Sequence, residues 1–300
     1  GLAGAIAATG WEETVQALSH LGPREVAILL LMSLANYAMR GLRWQLLTQA
    51  LNVPYRFGRD ILHYLGGFAL TATPGRVGEL VRLRWLTRET GWPIERTAPA
   101  ALADRASELA AVAVLLALAV GLSTLGMGFV WPLIGISLAL AYITTNARLL
   151  RWGVTFLHRL VGRWGRLFAR LRRLSEGLAP LTRGGIALPA LLLGMGGWFM
   201  EGTALYLLLG WLGADVTLWT AVAIFLAAMT SGALAGLPGG LGGAEATMIG
   251  LLLLAGVPME IALPATAVIR VTTLWFAIVI GLGVFPLAEA RSRRALREQA

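Results

Sequence analysis

Leu237-Pro238-Gly239-Gly240-Leu241-Gly242-Gly243-Ala244-Glu245 is a glycine-rich break that ends in a carboxylate, set inside a hydrophobic stretch long enough to cross a bilayer. The pattern occurs once more at Thr73-Pro74-Gly75-Arg76-Val77-Gly78-Glu79, where Pro-Gly-x-Val-Gly is again followed by Glu. In water either segment would be an ordinary loop. In hydrocarbon, backbone N–H and C=O groups released from a helix find no solvent, so irregular backbone persists only where protein buries it or where it lines a polar cavity. Two such breaks in corresponding halves of a chain point to a transporter-type binding site.

Working outward, 57% of the residues are hydrophobic and 14% charged, and the mean hydropathy is +0.71. Soluble domains carry about 25% charged residues. Several windows of roughly 20 apolar residues match a hydrocarbon core of ~30 Å, which excludes the short alternating segments of a transmembrane β-barrel. The expected fold class is therefore an all-α integral membrane protein, a polytopic helical bundle. The formal net charge is +9, and all 25 basic residues are arginine, whose planar fork suits phosphate and carboxylate. A nucleic-acid partner is not expected. With no cysteine, disulfides, thiolate catalysis and cysteine-ligated metals are excluded. Gly1 to Gly10 is apolar but half a span long and reads as the end of a truncated helix, since a cleaved signal peptide normally leaves a polar start.

Val26 to Ala50 reads as a first span, with Asn36, Arg40 and Arg43 on its second half. Arg43-Trp44 with Arg56 and Arg59 suggests a membrane interface of aromatic rings and snorkelling arginines. Ile61 to Thr73 is too short to cross, and a short helix restarts over Val77 to Trp85. Arg82, Arg84, Arg88 and Arg96 then return the chain to a basic surface, so this segment is expected to be a re-entrant hairpin. Spans follow at 97–122 and 127–145. Between Asn146 and Arg183 stand nine arginines and one glutamate, a net +8 in one segment. Arg159, Arg163, Arg166, Arg170 and Arg173 recur every three or four residues beside an apolar stripe, the pattern of an amphipathic helix on anionic inner-leaflet lipids. The second half runs Ile186 to Trp211, Leu218 to Gly236, the second break, Ala246 to Gly256 and Met259 to Phe285, followed by a basic tail over 287–300.

The halves, 26–122 and 186–286, match beyond their breaks. Arg105 follows Pro99 by six residues and Arg270 follows Pro264 by six; Pro74 to Arg105 is 31 residues and Pro238 to Arg270 is 32. If the arginine-rich segment and the tail are cytoplasmic, the positive-inside rule makes the two copies antiparallel, with hairpins opening from opposite sides. Inverted repeats with broken helices meeting at the midplane are the architecture of alternating-access carriers.

At each break the glycines permit positive φ, and the helix that follows directs its free N–H groups at the cavity. Glu79 and Glu245 sit at those helix starts, and Arg105 and Arg270 are their expected counter-charges. A purely structural reading is that these pairs hold the hairpins in place; ionisable residues at membrane depth also mark function. Asp104 and Glu108 lie four apart on one helix face and could serve a cation or proton, or pair with Arg105 or a neighbouring arginine. Glu201 lies deep in its span with no basic residue close in sequence. His20, His63 and His158 have no ligand spacing, no serine–aspartate nucleophile arrangement is visible, and neither a metal, a cofactor nor an enzymatic role is expected.

Gly66-Gly67-Phe68 through Thr73-Pro74-Gly75-Arg76-Val77-Gly78-Glu79-Leu80-Val81-Arg82, the Asp104-Arg105-x-x-Glu108 set, and Leu237 through Glu245-Ala246-Thr247 followed by Arg270 resemble the lysylphosphatidylglycerol synthase transmembrane (flippase) domain family. The resemblance covers nearly the whole chain, which is expected to be a stand-alone member without the soluble synthase domain of the bifunctional ones. It implies a lipid translocase, expected in the cell inner membrane; the arginine content puts its basic helix and C-terminus on the cytoplasmic side. The substrate would be a lipid with an anionic or zwitterionic head group: a phospholipid, an aminoacyl-phospholipid or a polyprenyl-phosphate-linked glycolipid. Pro74, Gly75, Arg76, Gly78, Glu79, Arg82, Asp104, Arg105, Glu108, Glu201, Pro238, Gly239, Gly240, Gly242, Gly243, Glu245 and Arg270 form the expected substrate site. The competing expectations are a lipid-modifying enzyme using Asp104, Glu108 or Glu245, and a scaffold for a synthase or glycosyltransferase, with a homo-oligomer as a further partner class.

Overall fold

The computed structural model describes residues 21–54, 57–71, 73, 78–123, 130–145, 152, 155, 185–236 and 238–299. Among them all regular structure is helical. Helix α1 covers Pro23–Ala50, and its first residue is a proline, whose missing N–H would be unpaired in a first turn anyway. It closes through Asn52 at φ 56°, with Val53 N–H donating to the Thr48 carbonyl at 3.1 Å and Asn52 N–H to that of Gln49 at 2.9 Å. That pair of bonds is the Schellman closure, which consumes carbonyls otherwise orphaned in hydrocarbon. Helix α2 (Phe57–Gly66) tightens into a 3₁₀ turn over Gly67–Leu70, and α3 (Gly78–Thr90) follows the first break. Next come α4 (Ile94–Leu122) and α5 (Trp131–Thr145).

In the second half, α6 covers Ala187–Trp211 and α7 Leu218–Leu234. A 3₁₀ turn at Pro238–Gly240 leads to α8 (Gly243–Leu254). Helix α9 (Met259–Arg270) passes through a π turn at Val271–Trp275 into α10 (Phe276–Glu298). The proline-to-arginine spacing acquires a structural meaning: Pro99 and Arg105 are the sixth and twelfth residues of α4, and Pro264 and Arg270 the sixth and twelfth of α9.

The helices long and apolar enough to cross a membrane are α1, α4, α6 and the continuous α9–α10 rod. Helix α7 has 17 residues and α8 has 12, about 25 and 18 Å at 1.5 Å per residue, each short of a ~30 Å core. Helix α7 is buried on every side from Ala221 to Ala228. It packs on α8, α6 and α4, while α2 and its 3₁₀ turn pack on α10, and α1 lies along α6. Each broken segment thus rests on the long helix that follows the other one. Leu31, Leu188, Leu254, Val279 and Leu282 are more than half exposed on the outside of the bundle.

Small residues set the close approaches, because helices in hydrocarbon associate through packing rather than water exclusion. A Cβ on Gly232 of α7 would stand 2.9 Å from the Ala244 amide nitrogen of α8. One on Gly281 of α10 would overlap the backbone of Phe68 and Ala69 in the first-half 3₁₀ turn.

Several expectations change. Arg43-Trp44 is no snorkelling interface: Arg43 and Trp44 are buried, as is Arg59, which pairs with Asp60 at 2.9 Å. Arg43 stands seven residues after Asn36, on the face that α1 turns toward α4 and α6, so its charge goes to carboxylates rather than to the interface. The basic tail is a helical extension of α10. It docks on α3, where Trp85 Nε1 donates to Glu289 at 2.7 Å, Arg88 to Glu289 at 2.9 Å, and the Gln299 amide to the Arg88 carbonyl at 3.1 Å. The expected truncated helix at 1–10 and the amphipathic helix at 146–183 lie outside the described residues, apart from helical Trp152 and Thr155.

Candidate functional site

A cavity of about 140 Å³ lies between the two halves. Its wall draws Tyr37 and Arg40 from α1, Tyr64 from α2, Arg82 from α3, Asp104, Arg105 and Glu108 from α4, Trp198 and Glu201 from α6, Gly239 and Gly240 from the second break, and Arg270 from α9.

The charges form two groups. In the first, Arg43 donates through Nε to Asp104 at 2.8 Å and through Nη2 to Glu108 at 3.2 Å, while Arg40 Nη2 reaches the other Glu108 oxygen at 2.9 Å. Arg105 adds an ion pair to Glu108 at 3.4 Å, and Arg82 Nη1 stands 4.0 Å from Asp104. The helical period makes this possible: Asn36, Arg40 and Arg43 fall on one stripe of α1, and Asp104 and Glu108 on one stripe of α4. Gly194 and Gly197 of α6 leave room beside that stripe, since a Cβ at Gly194 would stand 3.0 Å from Arg43 Nη1 and one at Gly197 2.6 Å from Asn36 Oδ1. A fully buried guanidinium bonded to two carboxylates keeps all three charges at a depth where none alone is cheap.

The second group mends the second break. Gly239, Gly240 and Gly242 have φ of 61°, 69° and 85°, a region open to glycine at no steric cost. That backbone leaves the helical hydrogen-bond ladder, and two side chains take up its orphans. Glu245 accepts the Gly242 N–H at 2.6 Å, and Arg270 Nη2 donates to the Gly239 carbonyl at 2.9 Å. The two side chains bond to each other, Arg270 Nε to Glu245 Oε1, at 2.6 Å. One residue past Arg270 the π turn begins, and Tyr37 OH donates to the Thr273 carbonyl inside it at 2.5 Å, tying α1 to this helix.

Residues 1–281 match the family described as the lysylphosphatidylglycerol synthase TM region. The chain belongs to that family. It is also similar to a UPF0104 membrane protein of Methanothermobacter thermautotrophicus, with 28% identity over 276 residues, 85% of this chain and 81% of the relative. A further match to a UPF0104 membrane protein of that organism has 32% identity over 89 residues, 30% of this chain and 26% of the relative. With its long apolar helices, membership of the lysylphosphatidylglycerol synthase membrane family makes the chain a multi-pass membrane protein and links it to membrane lipids.

The residues expected to form the site meet at this cavity in part. Arg82, Asp104, Arg105, Glu108, Glu201, Gly239, Gly240 and Arg270 line it, and Glu245 stands directly behind Arg270. Pro238, Gly242 and Gly243 shape the turn and the start of α8. Pro74, Gly75 and Arg76 lie outside the described residues, as does the side chain of Glu79 in the first turn of α3, and with it the expected Glu79–Arg105 pair; Gly78 is the first residue of α3. Asp104 and Glu108 are engaged by arginines, which displaces the cation reading. Glu201 is held by a neutral group, accepting a hydrogen bond from the Asn36 amide, with Arg40 on the same cavity wall. The residues missed from sequence are Asn36, Tyr37, Arg40, Arg43, Trp44, Tyr64 and Trp198. The signal for the α1 members was present, as polar residues at i, i+4 and i+7 in an apolar span.

Proposed function

We propose that this chain is a lipid translocase: a polar head group passes through the central cavity while the acyl or prenyl tails stay in the bilayer. The observation that carries the reading is the cavity itself, lined by charged side chains, walled by both halves, and bordered by the glycine-rich break at Gly239 and Gly240. At about 140 Å³ it is smaller than the ~300–1,000 Å³ of pockets that enclose a drug-sized ligand, which suits the charged part of a head group and excludes a whole lipid. Family membership adds the lipid.

On this reading the two halves are inverted repeats and each broken segment is a re-entrant hairpin. The Pro–Arg positions shared by α4 and α9 support it, as does the reciprocal packing of each broken segment on the other half's long helix. Alternating access then consists of exposing one site to each leaflet in turn. The charge asymmetry places Arg84, the arginine-rich segment and the C-terminus on the cytoplasmic side of the inner membrane. Glu245 and Arg270 are spent on mending the break, so the groups left to meet substrate are those of the α1–α3–α4 network and Glu201.

Purified protein reconstituted into vesicles with head-group-labelled phospholipid tests the proposal. Protein-dependent loss of label protection from an impermeant quencher, with the lipid recovered chemically unchanged, is the expected result. A chemically altered lipid would move the assignment to an enzyme, and neither movement nor alteration would move it to a scaffold.

A further inference from the structure

Arg82 is held unlike the other arginines of the cavity. Arg40 and Arg270 make short bonds to carboxylates, whereas the Arg82 guanidinium lies over two aromatic rings, 4.9 Å from the Trp44 centroid and 4.8 Å from that of Tyr64. Both rings are buried, and Arg82 itself is 7% exposed. Its Nε and Nη1 have no hydrogen-bond partner, and the Asp104 oxygen 4.0 Å from Nη1 lies beyond bonding distance. Contact with two ring faces holds the cation in place without satisfying its N–H donors. A buried unpaired donor is costly, the more so on a charged group, and the pairing that would relieve it is an in-plane oxyanion.

The rest of the wall asks for the same chemistry. Among the described lining residues, every buried side-chain polar atom without a hydrogen-bond partner is a donor: Arg82 Nε and Nη1, Arg40 Nε and Trp198 Nε1. The same residues carry four arginines against three carboxylates, a formal excess of one positive charge. Helix α3, which carries Arg82, is anchored to α10 through Trp85, Arg88 and Glu289, so the donor edge is preorganised.

We propose that Arg82 is the receptor for an oxyanion, the phosphodiester group of a lipid head, with Trp44 and Tyr64 as the clamp that positions it. This rests on reading the cavity as a head-group site and names the charge that the site selects. A zwitterionic head group satisfies it through its phosphate, and a neutral lipid does not.

The test is isothermal titration of the full chain in maltoside detergent, which contains no phosphate, with dihexanoyl-phosphatidylglycerol and with uncharged dihexanoylglycerol. Wild-type protein should bind the former and not the latter. Arg82→Gln should weaken binding at least tenfold, and Arg82→Lys, which keeps the charge but loses the planar fork, should fall between. Asp104→Asn gives an independent arm, because its amide oxygen still accepts from Arg43 while the negative charge near Arg82 is gone; it should bind severalfold tighter. Competition by inorganic phosphate assigns recognition to the oxyanion alone, and its failure assigns it to an oxyanion carried on a lipid; both support the receptor. Unchanged affinity in a folded Arg82→Gln, equal binding of dihexanoylglycerol, or no gain in Asp104→Asn would overturn it. If wild-type protein binds the anionic probe but moves no lipid in vesicles, the translocase reading falls and the receptor stands. If lipid moves while Arg82→Gln binds like wild type, the receptor falls alone.

Discussion

Glu245 and Arg270 are 7% and 4% exposed and 2.6 Å apart, and each also holds one backbone group of the break. Glu245→Ala strands a buried guanidinium and leaves the Gly242 N–H unpaired; Arg270→Ala strands a buried carboxylate and the Gly239 carbonyl. Removing one member of a buried ion pair costs about 3–5 kcal/mol. The double variant contains neither stranded charge and loses only the two backbone partners, at ~1–3 kcal/mol each. It should therefore be about as stable as either single variant, a coupling of ~3–5 kcal/mol, or roughly 160- to 5,000-fold in the unfolding equilibrium. Glu245→Gln keeps an acceptor oxygen without the charge and should lose about 1.5–3 kcal/mol, the worth of a hydrogen bond to a charged group. Unfolding in mixed micelles titrated with dodecyl sulfate and followed by circular dichroism measures all four. Single-variant effects that add to within ~0.5 kcal/mol would refute the claim that this pair mends the break.

Arg43→Lys should lose about 2 kcal/mol in the same titration, because an ammonium replaces only part of a fork bonded to both Asp104 and Glu108; wild-type stability would mean the network is not what holds α1 to α4. Gly281→Ala should cost about 1–3 kcal/mol, since its Cβ would enter the backbone of Phe68 and Ala69, whereas Gly283→Ala, with open space at its Cβ, should change stability by less than ~0.5 kcal/mol. The chain has no cysteine, so single cysteines report topology without background: Asp215→Cys should react with an impermeant maleimide outside intact cells and Arg84→Cys should not. Both positions are exposed, and equal labelling of the two would dismantle the inverted-repeat reading.

The sequence by itself determined the solvent and the punctuation. Hydropathy along α1, α4, α6 and α9–α10 is a property of consecutive residues, and the glycines at 239, 240 and 242 announce positive φ because other residues resist it. The Glu245–Arg270 pair was legible too, because one carboxylate and one cation stood at nearly the same interval after each break. What tertiary structure decided is which charges meet across helices far apart in the chain. Arg43 reads as an interface residue until α1 is laid beside α4, 61 residues away, and found against Asp104. Glu201 has no partner in its own stretch; its partner is Asn36, 165 residues earlier. Apart from the family resemblance, Arg82 looks like one more basic residue of a basic turn, and only the meeting of α1, α2 and α3 brings Trp44 and Tyr64 against it. Periodicity fixes which face of a helix a residue occupies, whereas the neighbour to which that face turns is set by packing, and the cavity is made of such neighbours.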